Sequence, residues 1–163
     1  MRVSFRGSLT AYRGKLLSGE SKGRAVHAGA FVRKRKVVLD AALRKQPAEL
    51  RRILAHEIFH FAWVRLGNPA RRAWELLVET ELAAGARGEL GWSAEHRKAA
   101  LRPADRTKHA RRWREYLCES FCDSGAFVYA GVRRHAEYTL AARFRERRRE
   151  WMRQLFSGRG ISI

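Results

Sequence analysis

The chain of 163 residues carries 35 Lys and Arg against 16 Asp and Glu, a formal net charge of +19. Its length suits one domain (1–163) with a core of its own, and no stretch approaches the ~18 apolar residues of a membrane-spanning helix. Residues 1–20 lack the apolar segment of a signal peptide, and two cysteines are too few for a disulfide framework, so we expect a cytoplasmic protein.

The first part of the chain, 1–46, predicts a small sheet region. Residues 1–23 are rich in Gly, Ser, Arg and Lys and predict one irregular strand and a loop. Segments 25–32 and 37–40 predict two strands joined by a basic turn. His27, on the first of them, is expected to be a half-exposed strand residue rather than a metal ligand.

Helices are expected from there on. The first covers 47–66, where Pro47 suits the opening turn and Gly67 follows the end. Apolar residues occupy almost every angle of its second half, so other elements should enclose it. Further helices are expected at 69–84, 94–101 and 107–130, within a helical region 69–131, and at 138–156, in a basic C-terminal region with a tail (132–163). The predicted class is therefore α+β and mostly helical.

The excess positive charge makes nucleic acid one candidate partner, because Lys and Arg displace counterions from phosphates. Arg outnumbers Lys 28 to 7 and is spread along the chain, which equally fits solvated helix faces. The densest run, 143–149, is where such an interface would be expected. Cys118 and Cys122, four residues apart, have a poor geometry for a disulfide and are expected to be buried thiols.

The first helix contains His56-Glu57-Ile58-Phe59-His60, an HExxH pattern. Two histidines four apart stand about 40° from one another on a helix, so both imidazoles can reach one metal ion. Glu57 lies about 100° further round, beside the metal, where it can act as a base. The alternative is a pair of core histidines that satisfy each other. We favour a single zinc ion held by His56 and His60, with Glu57 as the catalytic group.

A catalytic zinc site needs a third protein ligand and an open position. The metzincin continuation would place Gly at 63 and His at 66, but the chain has Trp63 and Leu66, which excludes that class. The candidates that remain for the third ligand are Glu119, Glu79, Glu81, His96, His109 and the cysteines.

Glu119 and Asp123 form an ExxxD pattern. Together with HExxH, it resembles the gluzincin branch of zinc metallopeptidases and uncharacterised soluble bacterial HExxH proteins. The resemblance implies a zincin-like fold whose active-site helix packs against a long C-terminal helix, with Glu119 as third ligand and Asp123 supporting His56. The gap of 58 residues after His60 is longer than in thermolysin-like enzymes and is similar to that in heat-shock and prenyl-protein zinc peptidases, which have membrane spans.

Glu79 is the main rival of Glu119 as third ligand. It follows His60 after 18 residues, the spacing of aminopeptidases with the HExxH-x18-E pattern. Those enzymes have Asn-Glu-Gly at this point, whereas the chain reads Val78-Glu79-Thr80. Glu79 and Glu81 would otherwise be ordinary helix carboxylates.

The resemblance implies a zinc metallopeptidase acting on a peptide or protein substrate. Glu57 would take a proton from a metal-activated water and pass it to the leaving amine. In gluzincins a Tyr or His often stabilises the oxyanion, and Tyr129, His135 and Tyr138 are the nearest downstream candidates. The predicted hairpin at 25–40 is the expected upper wall of the cleft, because an extended peptide can add to a sheet edge.

Two other hypotheses stay open. One is a basic nucleic-acid-associated protein, or a DNA-linked protease with a zinc site. Proteases of DNA–protein crosslinks use HExxH with a third histidine, for which His96, His109 and His135 follow. The other is an inactive zincin scaffold that works through protein partners, although such a scaffold would not need Glu57.

Overall fold

A computed structural model describes residues 1–13, 15–19 and 22–158, so residues 159–163 of the predicted tail lie outside the described residues. The fold is α+β and mostly helical, with small sheets at the N-terminus. The strands are β1 (Arg2–Arg6), β2 (Leu9–Tyr12), β3 (Lys15–Ser18), β4 (Arg24–Ala25), β5 (Ala28–Phe31) and β6 (Lys36–Asp40). The helices are α1 (Pro47–Arg65), α2 (Asn68–Ala83), α3 (Trp92–Ala99), α4 (Pro103–Thr107), α5 (Arg111–Tyr129) and α6 (Ala142–Phe156).

The described strands form two three-stranded sheets. The first has the order β1-β6-β5, with β1 parallel and β5 antiparallel to the central β6. The second, β3-β2-β4, is antiparallel. The basic turn predicted between β5 and β6 is confirmed as a short 3-10 turn, after which Arg35 has a positive φ of 47°.

Two strand predictions are wrong. Residues 1–23 contain three strands rather than one, and the segment 25–32 is divided between β4 and β5, which belong to different sheets. The division falls where the backbone changes partner: Val26 N–H donates to the carbonyl of Leu9 in the second sheet, and the carbonyl of His27 accepts from Asp40 N–H in the first. The residue types of the segment 25–32 do not indicate this change of sheet, because both sheets accept the same residue types.

Helix α1 lies between the first sheet and the other helices. Its Ile53 and Phe61 pack against Val37 and Leu39 of β6, while Phe59 packs into a second cluster formed with α2, α5 and α6. The prediction of an enclosed helix is therefore confirmed. Pro47 opens the helix as expected, and it ends at Arg65, one residue before the predicted end.

Helix α5 crosses α1 at very short range because Gly125 lies at the crossing. A Cβ at this position would stand 2.3 Å from the ring of Phe59, well inside van der Waals contact. The helix predicted at 107–130 is α5 and begins later, at Arg111. Thr107 instead ends α4, and His109, whose φ of 45° lies in the left-handed region, separates the two helices. The helix predicted at 94–101 begins two residues earlier and ends two earlier.

The last helix also starts later than predicted. Residues 138–141 are not helical, and α6 begins at Ala142. The backbone N–H groups of Thr139 and Leu140 instead donate to the carbonyl of Glu89, at 2.9 and 3.0 Å. No helix in the described part of the chain combines the length and apolarity needed to cross a bilayer.

Candidate metal centre

A cleft of about 510 Å³ separates α1 and α5 from the segment 24–32. Side chains of both motifs line it: His56, Glu57 and His60 from α1, and Glu119 and Asp123 from α5. Residues of β4 and β5 form the facing wall, which is where the first half of the predicted hairpin was expected. The structure therefore brings together, in one cleft, residues that are up to 67 positions apart.

One donor atom of each predicted ligand lies close to the donor atoms of the other two. Nε2 of His56 lies 3.2 Å from Nε2 of His60 and 3.3 Å from Oε2 of Glu119. The distance from Nε2 of His60 to Oε2 of Glu119 is 3.9 Å. Donors about 2.0–2.2 Å from a tetrahedral zinc ion are about 3.3–3.6 Å apart. The two distances from Nε2 of His56 are within about 0.1 Å of this range. A small rotation of the His60 or Glu119 side chain would bring the third distance into it.

Asp123 determines which nitrogen of His56 faces the cleft. Its Oδ1 lies 2.6 Å from Nδ1 of His56, and because a carboxylate only accepts hydrogen bonds, Nδ1 is the protonated nitrogen. Nε2 is therefore the nitrogen that faces the other ligand atoms. Oδ2 of Asp123 accepts from the backbone N–H of Ala94 at 3.0 Å. Gly91 makes this approach feasible, since a Cβ there would stand 2.3 Å from the Asp123 carboxylate.

Glu57 lines the cleft next to this group and is buried. Burial raises the pKa of its carboxyl above the ordinary value, although the two neighbouring histidines oppose the shift. For His56, burial alone would lower the pKa, but the contacts with Asp123 outweigh it and raise the pKa well above 6.5. The metal-free centre thus holds protons that a bound cation would displace.

Glu119 is oriented by a residue that the sequence analysis missed. Arg97 of α3 lies 3.2 Å from Oε1 of Glu119, which leaves Oε2 directed at the histidines. Burial alone would raise the pKa of Glu119, but the hydrogen bond with His56 and the nearby positive charges lower it to about 2. No sequence pattern links Arg97 to Glu119, because their contact depends on how α3 packs against α5.

The two thiols lie on the other side of the His60 ring. Sγ of Cys118 is 3.6 Å and Sγ of Cys122 is 3.4 Å from Nδ1 of His60. Cys122 is buried and Cys118 partly buried, and both are free, so the prediction of buried thiols is confirmed for Cys122. A hydrogen bond with Cys122 is the main cause that lowers the pKa of Cys118 to about 6, whereas burial raises the pKa of Cys122. Their spacing indicated a shared helix face, but not that this face meets His60.

The other carboxylates and histidines considered as third ligand do not line the cleft. Glu79 is half-buried on α2, outside the cleft, and Glu81 is fully buried in an ion pair with Arg148 at 2.7 Å. His96 stacks on Trp92, and His109 contacts Glu75. Within the described ranges, His, Cys and carboxylate groups come close enough to share a metal ion in two clusters, His56-His60-Glu119 and His60-Cys118-Cys122.

None of the three predicted oxyanion donors lines the cleft. The Tyr129 hydroxyl donates to the carbonyl of Met152 at 3.2 Å, and Nε2 of His135 lies 3.0 Å from Glu49. Tyr138 is buried beside Phe127. The polar groups that do line the cleft include His27 and Arg97.

The basic run 143–149 does not form one continuous basic surface. Arg148 is fully buried and pairs with Glu81 and Glu89, and Arg149 pairs with Glu146 while covering the ring of Phe127. Part of the run therefore serves the internal packing of α6.

Comparisons with known proteins found no matching protein family, curated protein or solved structure. The resemblance to gluzincins rests on the motif residues alone. Function has to be argued from the chemistry of the cleft.

Proposed function

We propose that the chain is a zinc-dependent metallopeptidase with a zincin-like fold of the gluzincin type. The observation that carries this proposal is the convergence of single donor atoms from His56, His60 and Glu119, next to the buried carboxylate of Glu57, in a cleft of about 510 Å³. Two imidazoles and one carboxylate are a ligand set of catalytic zinc.

His56, His60 and Glu119 would hold the zinc ion. When bound, zinc supplies a Lewis acid that lowers the pKa of a water molecule and polarises the carbonyl of the substrate. Asp123 keeps the proton of His56 on Nδ1, so that Nε2 is the ligand atom. Arg97 holds the other oxygen of Glu119 and thereby limits its rotation.

Glu57 is the proposed general base. Its carboxylate would take a proton as the water oxygen attacks the peptide carbon, and would return it to the amine nitrogen as the carbon–nitrogen bond breaks. Burial favours the protonated carboxyl, and therefore favours holding the proton between these two steps. His27 and Arg97, which line the cleft, are the candidates for the group that stabilises the oxyanion.

The substrate would be an extended peptide lying between α1 and the segment 24–32. Strands β4 and β5 line the cleft and lie at the edges of their sheets, and an edge of a sheet offers N–H and C=O groups to an added strand. A peptide bound in this way would place its carbonyl near the donor atoms of α1. The proposal therefore names peptides rather than folded proteins as the substrate class.

The decisive experiment compares the zinc-loaded wild type with Glu57→Gln on a library of unfolded peptides. We expect cleavage by the wild type and a loss of rate of about 10²–10⁴-fold in the variant, with zinc stoichiometry unchanged. Mass spectrometry of the products would locate the cleaved bonds. No cleavage by the zinc-loaded wild type, or equal rates for the two proteins, would refute the proposal.

The ligand set is tested separately by Glu119→Gln and Glu79→Gln. Losing a group that merely orients a ligand weakens zinc binding about 10–100-fold, and losing a ligand should cost at least as much. Competition with a chromogenic chelator should therefore show a large loss for Glu119→Gln and none for Glu79→Gln. The reverse result would make Glu79 the third ligand.

A further inference from the structure

His60 lies between two different sets of donor atoms. Its Nε2 faces His56 and Glu119 in the cleft. Its Nδ1 faces Cys118 and Cys122, at sulphur–nitrogen distances of 3.6 and 3.4 Å. The two sulphur atoms and Nδ1 all lie within 4.8 Å of one another.

These distances match those of a metal-bound Cys₂His group. With bonds of about 2.3 Å to sulphur and about 2.0–2.1 Å to nitrogen, a tetrahedral ion holds the two atoms about 3.5 Å apart. Thiolate sulphur prefers soft cations such as Cu(I), Zn(II) and Cd(II) to Mg(II) or Ca(II). The two thiols lie one helical turn apart on α5, so little rearrangement is needed to bring both to one ion.

We propose that Cys118, Cys122 and Nδ1 of His60 form a second metal site for a thiophilic cation, and that this site competes with the first for His60. An ion could reach it because Cys118 is only partly buried and the His60 side chain is 20% exposed. The existence of the thiol site does not depend on the proposed peptidase activity. Its competition with the first site rests on the metal site of the proposed function, but not on the peptidase activity.

The competition follows from the chemistry of imidazole. A neutral ring has one nitrogen with a lone pair and one that carries a proton. When a divalent cation binds the thiols, two thiol protons are released, and the His60 proton moves from Nδ1 to Nε2. Nε2 then has no lone pair for the cleft site, which loses one of its three ligands. A thiophilic metal would thus inhibit the centre without entering it.

Cadmium titration of the reduced, metal-free protein tests the thiol site. Cd(II) bound to thiolate gives an ultraviolet charge-transfer band that histidine and carboxylate ligands do not give. We expect this band to saturate at one equivalent in the wild type and in Glu119→Gln, and to be lost or greatly weakened in His60→Ala. A wild type without the band, or an unchanged band in His60→Ala, would overturn the proposal.

Single cysteine variants complete the test. Cys118→Ser and Cys122→Ser should each weaken Cd(II) binding at least about tenfold, since each removes one ligand. Because Cys122 is fully buried, Cys122→Ala serves as a second variant that leaves no unpaired hydroxyl, and circular dichroism verifies the fold. Equal Cd(II) affinity in all variants would contradict a site made by these thiols.

The competition is measured with Co(II) in the first site, where its visible spectrum reports coordination. One equivalent of Cd(II) should lower the affinity for Co(II) at least about tenfold in the wild type. In the double variant Cys118→Ser/Cys122→Ser, Cd(II) should lower the affinity for Co(II) only as far as it replaces Co(II) directly in the cleft. An unchanged Co(II) spectrum in the wild type after the Cd(II)–thiolate band has formed would refute the competition, whereas absence of peptidase activity would not affect either result.

Discussion

Two buried clusters of ionisable side chains, among those in the described part of the chain, differ in the source of their positive charge. In the first, the guanidinium of Arg148 lies 2.7 Å from Glu81 and 2.6 Å from Glu89. Lys98 and the hydroxyl of Tyr116 add further contacts to Glu89. In this cluster the chain itself supplies the positive charge.

At the candidate metal centre, by contrast, atoms that could all bind one metal ion face one another. Nε2 of His56, Nε2 of His60 and Oε2 of Glu119 are directed at one another, and the nearest guanidinium, that of Arg97, contacts the other oxygen of Glu119. The comparison separates carboxylates neutralised by a permanent cation from a carboxylate beside histidines, whose protons a metal ion could replace.

The largest effect is expected at Arg148, where the chain provides the cation. Arg148→Met should lower the free energy of unfolding by about 3–5 kcal/mol, because it leaves Glu81 buried without a partner and removes the guanidinium from Glu89. Urea denaturation measures the loss. The exposed neighbour serves as control, and Arg147→Met should change stability by less than about 0.5 kcal/mol. Equal stability of the two variants would remove the distinction between the clusters.

The second effect concerns acid unfolding of the metal-free protein. The pKa of Glu119 is lowered to about 2 from 4.5, so its ionised form stabilises the fold above pH 4.5, and this stabilisation is lost as the pH falls toward 2. The shift corresponds to about 3 kcal/mol. Glu119→Gln should remove this part of the pH dependence, measured by urea unfolding between about pH 5 and pH 3. Glu115→Gln, on the exposed side of the same helix, is the matched control and should behave as the wild type.

Zinc should raise the free energy of unfolding by binding at the candidate metal centre, and not at the Arg148 cluster. A cation at one hundred times its dissociation constant raises the free energy of unfolding by about 2.7 kcal/mol, provided that it binds the folded state alone. To exclude zinc bound by the thiols, the measurement uses Cys118→Ser/Cys122→Ser as the parent protein. We expect this gain in the parent and after adding Glu57→Gln, its loss after adding Glu119→Gln, and its reversal by chelation. A gain that persists with Glu119→Gln would place the zinc elsewhere.

The smallest effect is expected from Asp123→Asn, which keeps the shape of the side chain. Without the carboxylate on its Nδ1, His56 is a weaker and less constrained ligand, and zinc affinity should fall about 10–100-fold, or about 1.4–2.7 kcal/mol. Asp105→Asn removes the same charge from the exposed start of α4 and should leave zinc affinity unchanged. An unaltered affinity in Asp123→Asn would mean that this carboxylate serves only the packing of α3.

Local signals account for what the sequence predicted well. Helix α1 was placed correctly because Pro47 can open a helix and Gly67 follows its end, and because its apolar residues occupy most angles. The positions of His56 and His60 on one face follow from helical spacing alone. Glu119 and Asp123 came from a family resemblance, and the structure brings both to His56.

What the sequence could not predict depends on contacts between distant segments. Cys122 and His60 are separated by 62 positions, and nothing in either local pattern relates them. The same holds for the parallel pairing of β1 with β6 and for the extended residues before α6, whose N–H groups are satisfied by Glu89 rather than by a helix. His109 interrupts a helix without the Gly or Pro that usually marks such a break.

Trp92 gives the cleft an optical signal of its own. It is 45% exposed at the cleft, between the guanidinium of Arg24 and the ring of His96. The other four tryptophans, all in the described part of the chain, are buried or half-buried. A dissolved collisional quencher should therefore reduce mainly the fluorescence of Trp92. Any molecule that fills the cleft would shield it, so occupancy can be followed in the unlabelled protein before its substrate is known.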